Sequence, residues 1–179
     1  MKQIVAALLV LAAGCARGKP REEAVAATTH KEAGAMNISS SAFTDGGPIP
    51  AKYTCDGANV SPPLAFAGVP AGAKSITLIV DDPDAPGGTF DHWIVWNIRP
   101  GTKSLAEGQS PPGVSAPNGF GKSGYGGPCP PRGEHRYEFK LYALDTTLDL
   151  PQTASKADVE NAMSGHTIAR AEMMGRYER

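Results

Sequence analysis

Basic clusters are missing from this sequence, and aromatic residues make up only 7 % of it. Both scarcities argue against a nucleic-acid surface, which needs clustered Lys and Arg interleaved with stacking rings. Zinc-type spacings of Cys and His are absent, as is a dinucleotide fingerprint, and no succession of βαβ units is present to carry one. Ala116-Pro117-Asn118-Gly119-Phe120-Gly121-Lys122-Ser123 falls short of a phosphate-binding loop. It lacks the first glycine, and Gly124-Tyr125-Gly126-Gly127-Pro128 follows where a helix would be required. The only long apolar run, Ile4 to Ala13, is too short to span a bilayer as a stable helix.

What is abundant is glycine, 21 residues, and proline, 16, in a chain of 179 with net charge −1. That composition suits one turn-rich domain better than a helical bundle. Met1-Lys2 followed by the apolar run reads as an export signal. It ends in Leu11-Ala12-Ala13-Gly14-Cys15, which resembles the lipobox of bacterial lipoproteins, with Ala12 where leucine is commoner. Residues 1–14 are then the signal peptide and Cys15 the lipidated N-terminus; the alternative is an ordinary secretory signal cut nearby. Either way the product is exported, with the periplasm the expected location, and a lipid on Cys15 would hold it to a membrane. Residues 15–35 contain a single aliphatic side chain larger than alanine, Val25, and read as a flexible tether. Residues 36–179 are the folded domain, of a size that buries about 70 % of its unfolded surface.

Within that domain, Asn37 to Phe43 alternates like an opening strand, and Ile49 to Tyr53 reads as a second. The runs 75–81 and 92–98 are almost continuously apolar, as central strands covered on both faces are. Residues 100–131 form a long loop of the kind that is usually functional. From Arg136 to Leu144, Tyr137, Phe139, Leu141 and Ala143 alternate with Arg136, Glu138 and Lys140. Ser155 and Asp158 open a helix that Gly165 ends, and 167–177 alternates as a last strand. The total is a mainly antiparallel β domain with one or two short helices.

Chemistry-bearing residues gather where strands end. Asp82-Pro83-Asp84-Ala85-Pro86 closes one strand, and the two-residue spacing predicts both carboxylates on one side of an extended segment. His92 opens the next strand, and Cys129-Pro130-Pro131-Arg132-Gly133-Glu134-His135-Arg136-Tyr137 opens another. Asp82, Asp84, His92 and His135 are residue types that ligate a divalent metal, although their spacing is loose. They equally suit an anion pocket in which a carboxylate orients an imidazole, or simple turn formers and packed core histidines. Cys55 and Cys129 are the pair left after export, which points to a disulfide in an oxidising compartment; the competing reading makes Cys129 a nucleophile served by His135.

The stretches Lys52-Tyr53-Thr54-Cys55-Asp56-Gly57, Ser61-Pro62-Pro63-Leu64, Asp82 to Pro86, Gly88-Thr89-Phe90-Asp91-His92-Trp93, Gly124 to Pro131, His135-Arg136-Tyr137 and Gly165-His166 resemble, in order, the phosphatidylethanolamine-binding protein family. That family includes Raf kinase inhibitor protein and plant flowering regulators. The resemblance implies two packed antiparallel sheets with Greek-key links and a small pocket for phosphate-like or carboxylate anions, without enzymatic activity, cofactor or metal. It carries ligand-binding roles to Asp82, Asp84, His92 and His135, to the backbone around Cys129 and Pro131, and to the Tyr137 hydroxyl. The expected partners are a small anion such as a phospholipid headgroup, the membrane through the N-terminal lipid, and a protein of unknown identity that family members of inhibitory type would contact. The alternative is a hydrolase using His92 or His135 as base. The shortened turn between Pro131 and His135, and the end at Arg179 with no long C-terminal helix, keep kinase regulation from carrying over.

Overall fold

The computed structural model describes residues 35–179; the signal, Cys15, His30 and nearly all of the expected tether lie outside the described residues. Among the described residues nine strands run in the order β1 (Asn37–Ser39), β2 (Gly47–Pro48), β3 (Leu64–Ala67), β4 (Ser75–Asp82), β5 (Phe90–Ile98), β6 (Ser104–Leu105), β7 (Val114–Ser115), β8 (Glu134–Leu144) and β9 (Thr167–Glu178), with one α-helix, α1 (Lys156–Met163), between the last two. They form a three-stranded sheet, β1-β3-β6, and a six-stranded sheet, β2-β9-β8-β4-β5-β7. Every pairing is antiparallel except the two-residue contact of β2 with β9. β8 returns to the side of β4 rather than β5, the Greek-key type of link.

Why β4 and β5 are apolar on both faces follows from what covers them. Leu78, Val80, Trp93 and Val95 pack with Phe139 and Leu141 against Ile38 and Phe66 of the small sheet. Ile79, Ile94 and Trp96 pack on the opposite face with Leu148 and with Val159 and Met163 of α1. The domain thus has three layers, and the large sheet is the middle one. α1 starts at Ser155, whose hydroxyl accepts from the Asp158 N–H while the Asp158 carboxylate accepts from the Ser155 N–H, a complete capping box. Gly165, with φ of 79°, follows its C-cap.

Two strand expectations fail, each for a local reason. The opening strand stops at Ser39 because the Ser40 hydroxyl donates to the Pro63 carbonyl (2.7 Å) and accepts from the Ala42 N–H (3.1 Å), which turns the chain before Phe43. Ile49 to Tyr53 is not a strand: Pro50 stands at the start of a 3-10 turn, Ala51–Tyr53, where an extended segment would have needed its missing donor. The 100–131 loop holds β6, β7 and an isolated bridge between Pro117 and Ser123.

One irregularity places the site. On β4 and β5, Val80 pairs with Trp93 but Asp81 pairs with Asp91, so His92 is an extra residue in the ladder. A bulge shifts the alternation by one, turning His92 to the same face as Trp93. Without it His92 would face α1, where Asp91 meets Lys156 at 2.8 Å.

Candidate functional site

Asp82 ends β4 on the face opposite Asp81, and both of its oxygens are engaged. Oδ1 accepts from the Asp84 N–H at 2.8 Å, and Oδ2 lies 2.7 Å from His135 Nδ1, which must donate to it. Asp82 and His135 are both buried. The chain turns at Pro83 and Asp84 instead of continuing extended, so the two carboxylates part company. Asp84 faces Arg136: its Oδ2 accepts from the Arg136 main-chain N–H (3.0 Å) and Nε–H (2.8 Å), its Oδ1 from an Nη2–H (2.7 Å). These bonds hold its pKa well down, at about 2. Asp84 is therefore a turn anchor on the surface and does not line the cavity described next, a correction to the same-side expectation.

That cavity has a volume of about 320 Å³. Asp82 and His92 line it with the turn from Ala85 to Thr89, Phe90, Phe120, Cys129 and Pro131. Two stretches, 82–92 and 120–131, thus converge and bring Asp82, His92, Cys129 and Pro131 together. His135 touches the site through Asp82. Tyr137 lies behind it, its ring edge-on to His92 at 5.2 Å between centroids.

His92 is 2 % exposed. Its Nδ1 lies 2.6 Å from the Gly126 carbonyl, which can only accept, so Nδ1 carries the hydrogen and Nε2 is the ring's remaining polar atom. Burial lowers the pKa of this ring, and the Gly126 carbonyl and the charges of Asp82 and Asp81 oppose the shift without cancelling it. Burial likewise pushes the Tyr137 phenol up, with the Asp82 charge adding to the effect. The Tyr137 hydroxyl is buried with no hydrogen-bond partner among the described residues. The N–H of Cys129, sole main-chain donor between Pro128 and Pro131, makes no main-chain hydrogen bond among the described residues; it approaches that hydroxyl and opposes its upward shift without closing a full bond.

Cys55 and Cys129 are joined by a disulfide across 74 residues, with Cα atoms 5.4 Å apart. The bond fixes the Cys129 segment against the Ala51–Tyr53 turn, and the Cys55 N–H donates to the Pro128 carbonyl beside it (3.0 Å). Gly127 approaches the Tyr53 carbonyl so closely that a Cβ there would collide with backbone. As a half-cystine, Cys129 offers no thiolate for nucleophilic work.

Phe90 and Phe120 were not singled out by sequence reasoning. They pack edge-on to each other at 4.8 Å, and both lie against His92. Phe120 falls in the segment whose glycines and lysine suggest a failed phosphate loop, a pattern that hides its ring. Among the described residues, no group of three His, Cys, Asp or Glu side chains is placed to hold a metal ion. The lining residues can instead offer one small group the Cys129 N–H and, when protonated, His92 Nε2–H, with Asp82 as acceptor, while the Tyr137 O–H stands behind them.

The family model for the phosphatidylethanolamine-binding protein matches residues 39–178. The chain belongs to that family. A UPF0098 protein of Methanothermobacter thermautotrophicus is 53 % identical over 150 residues, covering 80 % of this chain and 99 % of that one. A Mycobacterium tuberculosis protein named as a lipoprotein, LppC, is 43 % identical over 186 residues, covering 96 % of this chain and 92 % of its own. Among solved structures, the family homologue CT736 of Chlamydia trachomatis superposes with a TM-score of 0.78 at 48 % identity, covering 81 % of this chain and 98 % of that one. YbcL of Escherichia coli, described as a member of the mammalian family, gives 0.75 at 35 % identity, covering 80 % and 98 %. Family membership thus accounts for the two-sheet fold expected from the motifs.

Proposed function

We propose that this chain is an exported, lipid-anchored binding protein whose cavity holds a phosphate-like or carboxylate anion without turning it over. The observation that carries the reading is the state of His92. Its Nδ1–H is committed to Gly126, and burial keeps the ring neutral at pH 7, so Nε2 is a bare acceptor until a proton arrives. An anion entering the cavity would supply the compensating charge and bring that proton with it. Cys129 N–H and the unpartnered Tyr137 hydroxyl would complete the oxygen cradle. Asp82, already holding Asp84 and His135, favours a ligand that carries its own hydrogen, such as the monoanion of a phosphate monoester.

Binding without turnover is supported by the lack of a poised nucleophile. Among the described residues Cys129 is bonded to Cys55, the Thr89 hydroxyl makes no hydrogen bond to either imidazole, and burial pushes the Tyr137 phenol up, away from its nucleophilic form. The export reading draws on the Ala13-Gly14-Cys15 junction and on the likeness to LppC, which extends through the N-terminal region.

Calorimetric titration with inorganic phosphate at pH 6 tests the proposal. His92→Asn can still donate to the Gly126 carbonyl but lacks Nε2, and affinity should fall at least tenfold in that variant. Equal affinity in both proteins, or no phosphate binding by either, would overturn the reading.

A further inference from the structure

Beyond Phe120 the surface dips again, into a second hollow of about 240 Å³. Phe120 lines both hollows and forms the wall between them. The rest of the second hollow includes Asn59, Asn118, Lys122 and Tyr125, with Cys55 and the glycines 126 and 127. No Asp or Glu lines it, and Lys122 is its single formal charge. The surrounding loop engages only the main chain of Lys122. Its N–H donates to Asn118 Oδ1 (3.2 Å) and its carbonyl accepts from the Asn118 N–H (2.8 Å). The ammonium enters no ion pair or hydrogen bond among the described residues.

The loop is held in a fixed shape. Asn118, 6 % exposed, also accepts from the Phe120 N–H (3.0 Å) and donates to the Gly124 carbonyl (3.0 Å), and it takes the Gly121 N–H on its own carbonyl (2.8 Å). The main chain at Phe120 and Lys122 therefore keeps a constant relation to the first cavity, so that a ligand meeting both has mainly the rotamer freedom of the Lys122 side chain to overcome. Asn59 contributes a second donor. Its Oδ1 accepts from the Gly127 N–H at 2.8 Å, which leaves its Nδ2 hydrogens for another acceptor. An ammonium and an amide N–H on a surface free of acids are suited to a carboxylate, through charge-assisted bonds.

We propose that the hollow at Lys122 is a second subsite for an acidic group, so that the preferred ligand carries a phosphoryl group for the His92 cavity and a carboxylate on a short linker that crosses Phe120. This rests on the anion reading of the first cavity. Phe120 acts as the spacer that selects linker length, and Lys122 as the residue that selects the second charge.

Calorimetry with ω-phosphonocarboxylic acids of increasing chain length, each paired with the alkylphosphonate of equal length, separates the two readings. At one linker length the carboxylate should tighten binding at least fivefold, and that gain should vanish in Lys122→Gln. Arg132, exposed beside Pro131 and lining neither hollow, carries the same charge, so Arg132→Gln should keep the gain. Alkylphosphonates that bind while the carboxylate adds nothing at any length would overturn this inference and leave the first cavity intact. A gain lost equally in Lys122→Gln and Arg132→Gln would overturn it too, by assigning the gain to the general field. If no phosphonate binds, the first reading fails and takes the second with it.

Discussion

In the proposed function a single proton at His92 links ligand binding to stability. The folded-state pKa lies below the unfolded value of about 6.5, so the unfolded chain takes up the proton first as pH falls. The neutral ring's contribution to stability is complete above about pH 6.5 and declines below it. Scanning calorimetry should show the melting temperature of ligand-free protein falling from pH 7 to pH 5, with a shallower slope in His92→Asn and in wild type saturated with phosphate. An identical slope in all three would show that His92 is not the titrating group. Asp84 behaves in the same sense, at lower pH. Held at about 2 by Arg136, it contributes above its ordinary value near 3.8 and loses that contribution as the pH falls towards 2. The pair is partly exposed, so Asp84→Asn should cost only ~0.2–1 kcal/mol by urea unfolding. Its phosphate affinity should stay within about twofold of wild type, because the side chain faces away from the cavity.

Two elements are fastened by chemistry that the large sheet alone does not provide. The Cys55 to Cys129 bond ties the wall of the cavity to the Ala51–Tyr53 turn, and closing so long a loop stabilises by roughly 2–4 kcal/mol. Double replacement by serine should lower stability by that amount and weaken phosphate binding several-fold through the loosened Cys129 segment. Thiol titration of unfolded, unreduced protein should find neither cysteine free; two reactive thiols there would remove the basis for both effects. On the other face, α1 is clasped by Asp81. Lys140 lies 2.9 Å from its Oδ1 and Lys156, the first residue of the helix, 3.1 Å from its Oδ2. Burial would lower both ammonium pKa values, yet Glu138 and Asp81 raise that of Lys140, and Asp91 and Asp81 that of Lys156. Asp81→Asn takes one of two carboxylates from each half-buried ammonium, leaving Glu138 with Lys140 and Asp91 with Lys156, and should cost ~1.5–3 kcal/mol, measured by urea unfolding. A loss under ~1 kcal/mol would mean that the lysines simply turn to solvent.

Over the whole molecule, what could be read from sequence was whatever repeats with a fixed period or sits in a recognisable turn. The central strands, the alternation of β8, the Ser155 cap and the long last strand all follow from side-chain spacing and local hydrogen bonding. The site was legible only as a set of strand ends. His92 reaches the cavity through a bulge, which no alternation pattern contains, and Asp84 leaves it through a turn that the two-residue rule ignores. The Asp81 clasp joins residues 59 and 75 positions apart, a separation invisible without the fold. The proposed N-terminal anchor is tested separately: Cys15→Ser should move the protein from the membrane to the soluble fraction, and failure of labelled fatty acid to enter wild type would contradict it. The central claim, that the cavity takes an anion together with a proton on His92, is tested most directly by proton counting. Phosphate binding at pH 7.5 should be measured in buffers of different ionisation enthalpy, for wild type and His92→Asn. Phosphate can itself gain a proton, so the difference between the two proteins is the result that matters. Wild type should take up close to one proton more per phosphate bound; equal uptake by the two proteins would contradict the account.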